Sequence, residues 1–332
     1  EIPRNPGEHM VNDTLTAIPG ILAGHATDAV NGTGCTAILC PGGCTPGLAV
    51  PGFAPGSRET ELLRPESLVD SVHGILLAGG SAFGLAAADG VTRFLRERGL
   101  GFAMPHGTVP IVSGAVIYDL DMNRKPGLLP DADMGYAAAA AALERAGAPL
   151  PRGAVGAGTG ARCGRAFGMS AAGPDYSAKS GLGSALAERQ GVQAAALVVV
   201  NALGNVHDPD DGRFLAGGRG ADGAPLGREV LLSALAGEDV PVSNTVLTVV
   251  GTNIPLNKVQ ASRLARMAAT GLPRAIRPAH LLYDGDIVFV LAAKTPPPTA
   301  TGPWTENLLG CLGAEAVARA AADAVTHAAD AS

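Results

Sequence analysis

Seven histidines stand at His9, His25, His73, His106, His207, His280 and His327, and no two are four residues apart. There is no H-E-x-x-H helix signature, so neither a zinc hydrolase nor a histidine-dependent triad gains support. Cys35, Cys40 and Cys44 are separated by four and then three residues, without a paired Cys-x2-Cys, and read as structural thiols rather than a metal site. Gly79-Gly80-Ser81-Ala82-Phe83-Gly84 places a serine between a strand-like and a helix-like stretch, but it is not the G-x-S-x-G elbow. It reads as a glycine-rich turn with Ser81 capping a helix, its amides an option for a substrate carboxylate. Gly156 to Gly160 (GAGTG) departs from the dinucleotide fingerprint and reads as a tight turn. GPDYSAKS (173–180) has Ala178 where a phosphate loop needs glycine. What remains is Asn244-Thr245 ahead of an apolar run, and Asp284 and Asp286 some forty residues on. Taken alone, Thr245 is a hydroxyl at the start of a strand and the two aspartates flank a D-G turn.

The elements that must hold these residues are legible as apolar runs broken by glycine and proline. Ala194–Val200, ending at Asn201, and Val246–Val250 are unbroken apolar stretches, as expected of strands buried on both faces. Thr36–Leu39, Ile75–Ala78, Ile111–Leu120 and Ile287–Ala292 read as further strands. Helical patterns follow Ser81 to Arg98, Asp133 to Ala146, Pro255 to Thr270 and Glu306 to Ala329. Residues 41–56 hold nine glycines or prolines and read as a loop, and 202–227 as a long exposed excursion. Strands alternate with helices, which predicts a layered α/β architecture.

Composition narrows the function classes. The 332 residues include 46 Gly, 25 Pro and 60 Ala, with 4% aromatic and 16% charged residues. The glycines lack a three-residue period, which excludes collagen. A net charge of −6 without a basic block argues against a nucleic-acid partner, and no apolar run approaches the ~20 residues of a membrane span. Five sparse cysteines suit a reducing cytoplasm. Residues 1–9, followed by Met10, read as a cloning remnant ahead of a native start.

Six segments, in order, resemble the family of self-processing aminopeptidases and D-amino-acid esterases/amidases, which includes β-aminopeptidases and nylon-oligomer hydrolases. They are LLAGGSAFGLAAADGV (76–91), VPIVSGAVIYDL (109–120), GAVGAGTGARCGR (153–165), LVVVNALG (197–204), SNTVLTVVGTN (243–253) and LARMAATGLPRAIRPAHLLYDGDIVFVL (264–291). The resemblance implies a four-layer αββα sandwich of the N-terminal-nucleophile hydrolase type, with no cofactor. It implies one catalytic domain, 10–332, cut between Asn244 and Thr245 into pieces 10–244 and 245–332.

Carried onto this chain, Thr245 becomes the nucleophile, and its freed α-amine, of pKa about 8, its own base. Asn201 becomes an oxyanion donor and Tyr118 a second donor or substrate guide. Asp284 and Asp286 would orient the ammonium of Thr245 or bind a substrate amine. Arg165 stands where related sequences usually place Lys, and Arg cannot relay protons. The implied substrates are small peptides and amino-acid amides or esters, cleaved from an end, with internal cleavage of ω-amino-acid oligomers as the alternative. The resemblance also implies a homo-oligomer of the cleaved unit. Ornithine acetyltransferases also use a threonine nucleophile, but their Lys-Gly and Ala-Thr-Met-Leu signatures are missing here. A non-enzymatic amine-binding fold is the remaining alternative.

Overall fold

The computed structural model describes residues 12–122, 125, 127–167, 176–236, 244–294 and 302–329. The segment read as a cloning remnant, and the first three residues of GPDYSAKS (173–175), lie outside them.

Eight strands carry the fold: β1 (Leu22–Asp28), β2 (Thr33–Ala49), β3 (Val72–Ala78), β4 (Val112–Val116), β5 (Leu182–Arg189), β6 (Val192–Asn201), β7 (Thr245–Thr252) and β8 (Ile287–Ala292). They pair in the order β5-β6-β7-β8-β2-β3-β4, with β1 also on β2 and the short Ser57–Arg58 strand at the edge beyond β4. The long β2 divides this array in two. Its first half, Cys35 to Leu39, pairs with β3, and its second half, Thr45 to Ala49, with β8. A register shift between Leu39 and Cys44 bends it from one sheet into the other.

Four helices cover the outer faces: α1 (Ala87–Glu97), α2 (Ala132–Glu144), α3 (Lys258–Ala269) and α4 (Pro303–Ala329). Three cores follow from the two-residue period of the strands. On β6, Ala194, Ala196, Val198 and Val200 face α3 and α4, joined by Val250 and Val290. Their alternates Ala195, Leu197 and Val199 meet Ile38, Ile75 and Leu77 of the other sheet. Cys35, Ala37, Leu39 and Leu76 pack outward against α1 and α2. The layers are α, β, β, α, as the resemblance implied. Each sheet contains one parallel pair, β3–β4 and β7–β8, joined by α1 and α3 respectively. A helical crossover is what a parallel pair requires.

Two sequence expectations are corrected. Residues 41–49 are strand, not loop, because the glycines and prolines there serve the bend and the packing. A Cβ on Gly47 would lie 2.3 Å from the Ala261 carbonyl, so α3 rests directly on β2. The 202–227 excursion is tethered at its root. Asn205 is buried in a small strand (Asn205–His207) that pairs with Phe214–Ala216 and Ile276–Arg277. Its side chain accepts from the Gly218 amide and donates to the Leu226 carbonyl. Helix boundaries follow caps: Asp131 accepts from the Met134 amide, and Asn257 forms a reciprocal box with Gln260. Among the described residues no helix is long and apolar enough to cross a membrane.

Candidate active site

Thr245 is the first residue of β7 and lies opposite Asn201, the last residue of β6. Asp284 and Asp286 immediately precede β8, and Asn244 bridges to Asp284, extending the parallel β7–β8 pairing by one step. Tyr118 follows the end of β4 in the opposite sheet. Strand ends of both sheets therefore bring residues from four segments to one edge of the sandwich.

The Asn244–Thr245 peptide sits in a set of directed contacts. The Thr245 hydroxyl donates to the Asn244 carbonyl oxygen at 2.6 Å, and the Gly285 amide donates to the same oxygen at 2.8 Å. Only glycine fits at 285, because a Cβ there would lie 2.6 Å from Thr245 Oγ1 and 2.8 Å from the Ala54 carbonyl. Both polar atoms of the Asn244 side chain are buried without a hydrogen-bond partner among the described residues. Such groups cost about 1–3 kcal/mol each when left unsatisfied.

The two aspartates do different work. Asp286 is buried and fully used: Oδ1 accepts from the Val246 amide at 2.8 Å, and Oδ2 from the amide and Nδ1 of His280 at 3.2 and 2.8 Å. Burial acts to lower the His280 pKa, but the hydrogen bond and charge of Asp286 outweigh it and hold the imidazole above its ordinary value. Asp284 is half-satisfied: Oδ2 accepts from the Leu281 amide at 2.6 Å, whereas Oδ1 is buried with no partner among the described residues. Burial first, and then the neighbouring charge of Asp286, push its carboxyl up to about 6.

That shift has a stability consequence of definite sign. The folded state keeps the Asp284 proton up to about pH 6, while the unfolded chain loses it near 3.8. Stability from this group is therefore highest at low pH and falls as pH rises through that window. Asp284→Asn removes the penalty, and denaturant unfolding should show a gain of up to roughly 3 kcal/mol at pH 8 that shrinks near pH 4. An equal gain at both pH values would refute the assignment.

Asn201 is clamped from both sides of its amide. Its Oδ1 accepts from the Arg162 amide at 3.2 Å and from an Arg165 guanidinium nitrogen at 3.4 Å, and its NH2 donates to the Tyr118 carbonyl at 3.0 Å. An amide NH2 has two hydrogens, so one remains beyond the Tyr118 bond. Arg165 is buried and pairs with Asp121 at 3.0 Å. That ion pair and Asn201 place its fixed charge behind the asparagine.

A cavity of about 250 Å³ opens over these groups, lined by Thr245, Asn244, Tyr118, Ser81, Val116 and Tyr283 among others. Larger clefts of about 570 and 600 Å³ lie elsewhere and are lined by neither Asn244, Thr245, Tyr118, Asn201, Arg165, Asp284 nor Asp286. The smaller cavity is where the chemistry converges. Of the six residues carried over from the resemblance, Thr245 and Tyr118 line it; Asn201 pairs with Thr245, Arg165 bonds Asn201, Asp284 bridges to Asn244 and Asp286 bonds the Val246 amide. Ser81, however, does not cap a helix: the capping position is Gly80, without a side-chain bond. The Ser81 amide donates to the Ile117 carbonyl and so is not turned to a substrate carboxylate.

Sequence reasoning missed the roles of Gly285, Asp119 and Asp121, and read His280 as structural rather than catalytic. Asp119 is fully buried and accepts from the Gly80 amide at 2.6 Å and the Thr33 hydroxyl at 2.9 Å. Burial raises its pKa despite those two bonds. A signal did exist in the acidic D-x-D that directly follows Tyr118.

A model of peptidase family S58 matches residues 13–332. The chain belongs to peptidase family S58. It is 40% identical over 342 positions to an uncharacterized aminopeptidase of Mycobacterium tuberculosis, covering 95% of this chain and 94% of the relative. It is 29% identical over 309 positions to a 6-aminohexanoate-oligomer endohydrolase of a Kocuria species, covering 90% and 81%. Among solved structures, the L-aminopeptidase D-Ala-esterase/amidase of Ochrobactrum anthropi, described as a variant of the Ntn hydrolase fold, superposes with a TM-score of 0.65. Its identity is 19%, over 96% of this chain and 86% of that one. A Burkholderia β-aminopeptidase gives 0.63 at 22%, over 95% and 87%. The S58 chain described here is thus a peptide- or amide-bond hydrolase with the Ntn-hydrolase fold.

Proposed function

We propose that this S58 hydrolase activates itself by cleaving Asn244–Thr245 and then uses Thr245 as its nucleophile. The observation that carries this reading is the Asn244 carbonyl, held between the Thr245 hydroxyl and the Gly285 amide. The hydroxyl oxygen attacks the Asn244 carbonyl carbon while the Gly285 N–H steadies the charge growing on oxygen. The hydroxyl proton ends on the leaving nitrogen, which becomes the α-amine of Thr245. The resulting ester is hydrolysed by water, leaving a carboxylate on Asn244 and restoring the hydroxyl. The β-branch of threonine restricts χ1 and helps hold Oγ1 at that carbonyl.

In the cleaved enzyme the α-amine, partly unprotonated near neutral pH, takes the proton from Oγ1 as it attacks a substrate amide. The remaining Asn201 N–H is the proposed oxyanion donor, and Arg165 contributes its fixed charge. Small peptides and amino-acid amides or esters are the first substrate reading, in line with the aminopeptidases at 40% identity. Internal cleavage of ω-amino-acid oligomers is the second. It is favoured by the absence of a charged side chain among the described residues that line the cavity.

Gly285→Ala tests the self-cleavage geometry. Its methyl group would displace Thr245 Oγ1 or the Ala54 loop, so cleavage, followed by denaturing electrophoresis, should slow by about 10²-fold or more. Cleavage at the wild-type rate would exclude this arrangement. Aminoacyl anilides assayed beside aminohexanoate oligomers separate end-acting from internal cleavage.

A further inference from the structure

Ser81 holds an unusual backbone conformation for its type. It has φ 53°, in the left-handed region that favours glycine, directly after Gly80 at φ 81°. A non-glycine residue persists there only when its surroundings impose it. Here they do: the Gly80 amide is fixed to Asp119 at 2.6 Å, the Ser81 amide to the Ile117 carbonyl at 2.9 Å, and Asp119 in turn to Thr33. The product of this strain is a partly exposed serine side chain on the wall of the Thr245 cavity. Among the described residues its hydroxyl has no hydrogen-bond partner, and it caps no helix.

The chain supplies a guide to what such a hydroxyl faces. In the uncleaved protein the acyl residue at Thr245 is Asn244, which lines the same cavity as Ser81 and carries a neutral carboxamide. A substrate acyl group must take that place once Asn244 has been cut away. No charged side chain among the described residues lines the cavity, and the Asp286 carboxylate is consumed by Val246 and His280. The lining itself therefore offers an ammonium no charged partner, and the nearest unpartnered carboxyl oxygen, on Asp284, is buried in the segment that bridges to Asn244. A hydroxyl, both donor and acceptor, matches an amide.

We infer that Ser81 is a specificity-determining residue that binds an uncharged amide on the acyl side of the substrate, two or three bonds from the scissile carbonyl. The inference rests on Thr245 as nucleophile and goes beyond both substrate readings, because an N-acylated α-amino acid, and not an ω-amino-acid unit, presents an amide at that distance. Asp119 acts behind it as a positioning residue, holding the Gly80-Ser81 turn against the cavity.

The test compares two anilides of matched length on the cleaved enzyme: N-acetylglycyl p-nitroanilide, with the amide, and pentanoyl p-nitroanilide, with methylenes in its place. Wild type should prefer the amide in kcat/KM by about tenfold. Ser81→Ala should lose that preference, and so should Ser81→Gly, which relieves the backbone strain. The loss should fall selectively on the amide substrate, a split between the two anilides that a merely structural role would not produce. An undiminished preference in Ser81→Ala would overturn the inference. So would a wild-type enzyme that hydrolyses glycyl p-nitroanilide but neither matched substrate. Absence of both self-cleavage and all hydrolysis in wild type would instead remove the Thr245 reading, and the Ser81 inference with it.

Discussion

Thr245→Ala is expected to remain a single chain and to lose amide hydrolysis on the order of 10⁶-fold, the scale of losing a nucleophile outright. The methyl group that remains can neither attack the Asn244 carbonyl nor form an acyl-enzyme. The fold should survive, because Thr245 keeps its strand pairing with Asn201 and its position at the head of β7. The lost hydroxyl bond runs only to the adjacent carbonyl, which retains the Gly285 amide. Thr245→Ser keeps the attacking oxygen and should still cleave, more slowly, because serine lacks the branch that restricts χ1. Electrophoresis and an anilide assay read both effects. Substrate turnover by Thr245→Ala at a rate near that of wild type would refute the nucleophile assignment.

Asp286→Ala should be the most damaging change near the site that leaves Thr245 itself intact. It strips the acceptor from the Val246 amide, from the His280 amide and from His280 Nδ1 in one step. Breaking a buried pair in this way costs about 3–5 kcal/mol, since the abandoned donors cannot regain water. Val246 adjoins the nucleophile, so the loss of stability should be accompanied by slower self-cleavage. Asp286→Asn keeps one acceptor oxygen and should fall between the two. Denaturant unfolding of the three proteins, with the cleaved fraction measured on the same samples, checks both consequences. Unfolding midpoints indistinguishable from wild type would show that Asp286 does not tie β7 to the segment before β8.

Much of the frame was legible because the two buried strands β6 and β7 are apolar on both faces and cannot be mistaken for surface segments. Asn201 and Thr245 could be placed at strand ends for the same reason. The pairing that joins them, and the bridge from Asn244 to Asp284, could not be read, because contacts forty residues apart leave no local period. The 41–49 stretch misled for a physical reason. Glycine and proline usually punctuate turns, but here they permit a bend and the close approach of α3 to β2. Ser81 was visible as a residue of interest, yet its role as a cap was wrong. Its backbone is forced by Asp119, and nothing local marks that buried carboxylate as the partner of Gly80. Asp286 and His280 likewise became a pair only when the 276–286 segment folded back on itself.

The intact mass of the wild-type protein after incubation at neutral pH, with N-terminal sequencing of what it contains, bears most directly on the central claim. Two fragments are predicted, one ending at Asn244 and one beginning with Thr245, together with hydrolytic activity that rises in step with their appearance. A full-length chain that hydrolyses amides without ever exposing a Thr245 amine would contradict it.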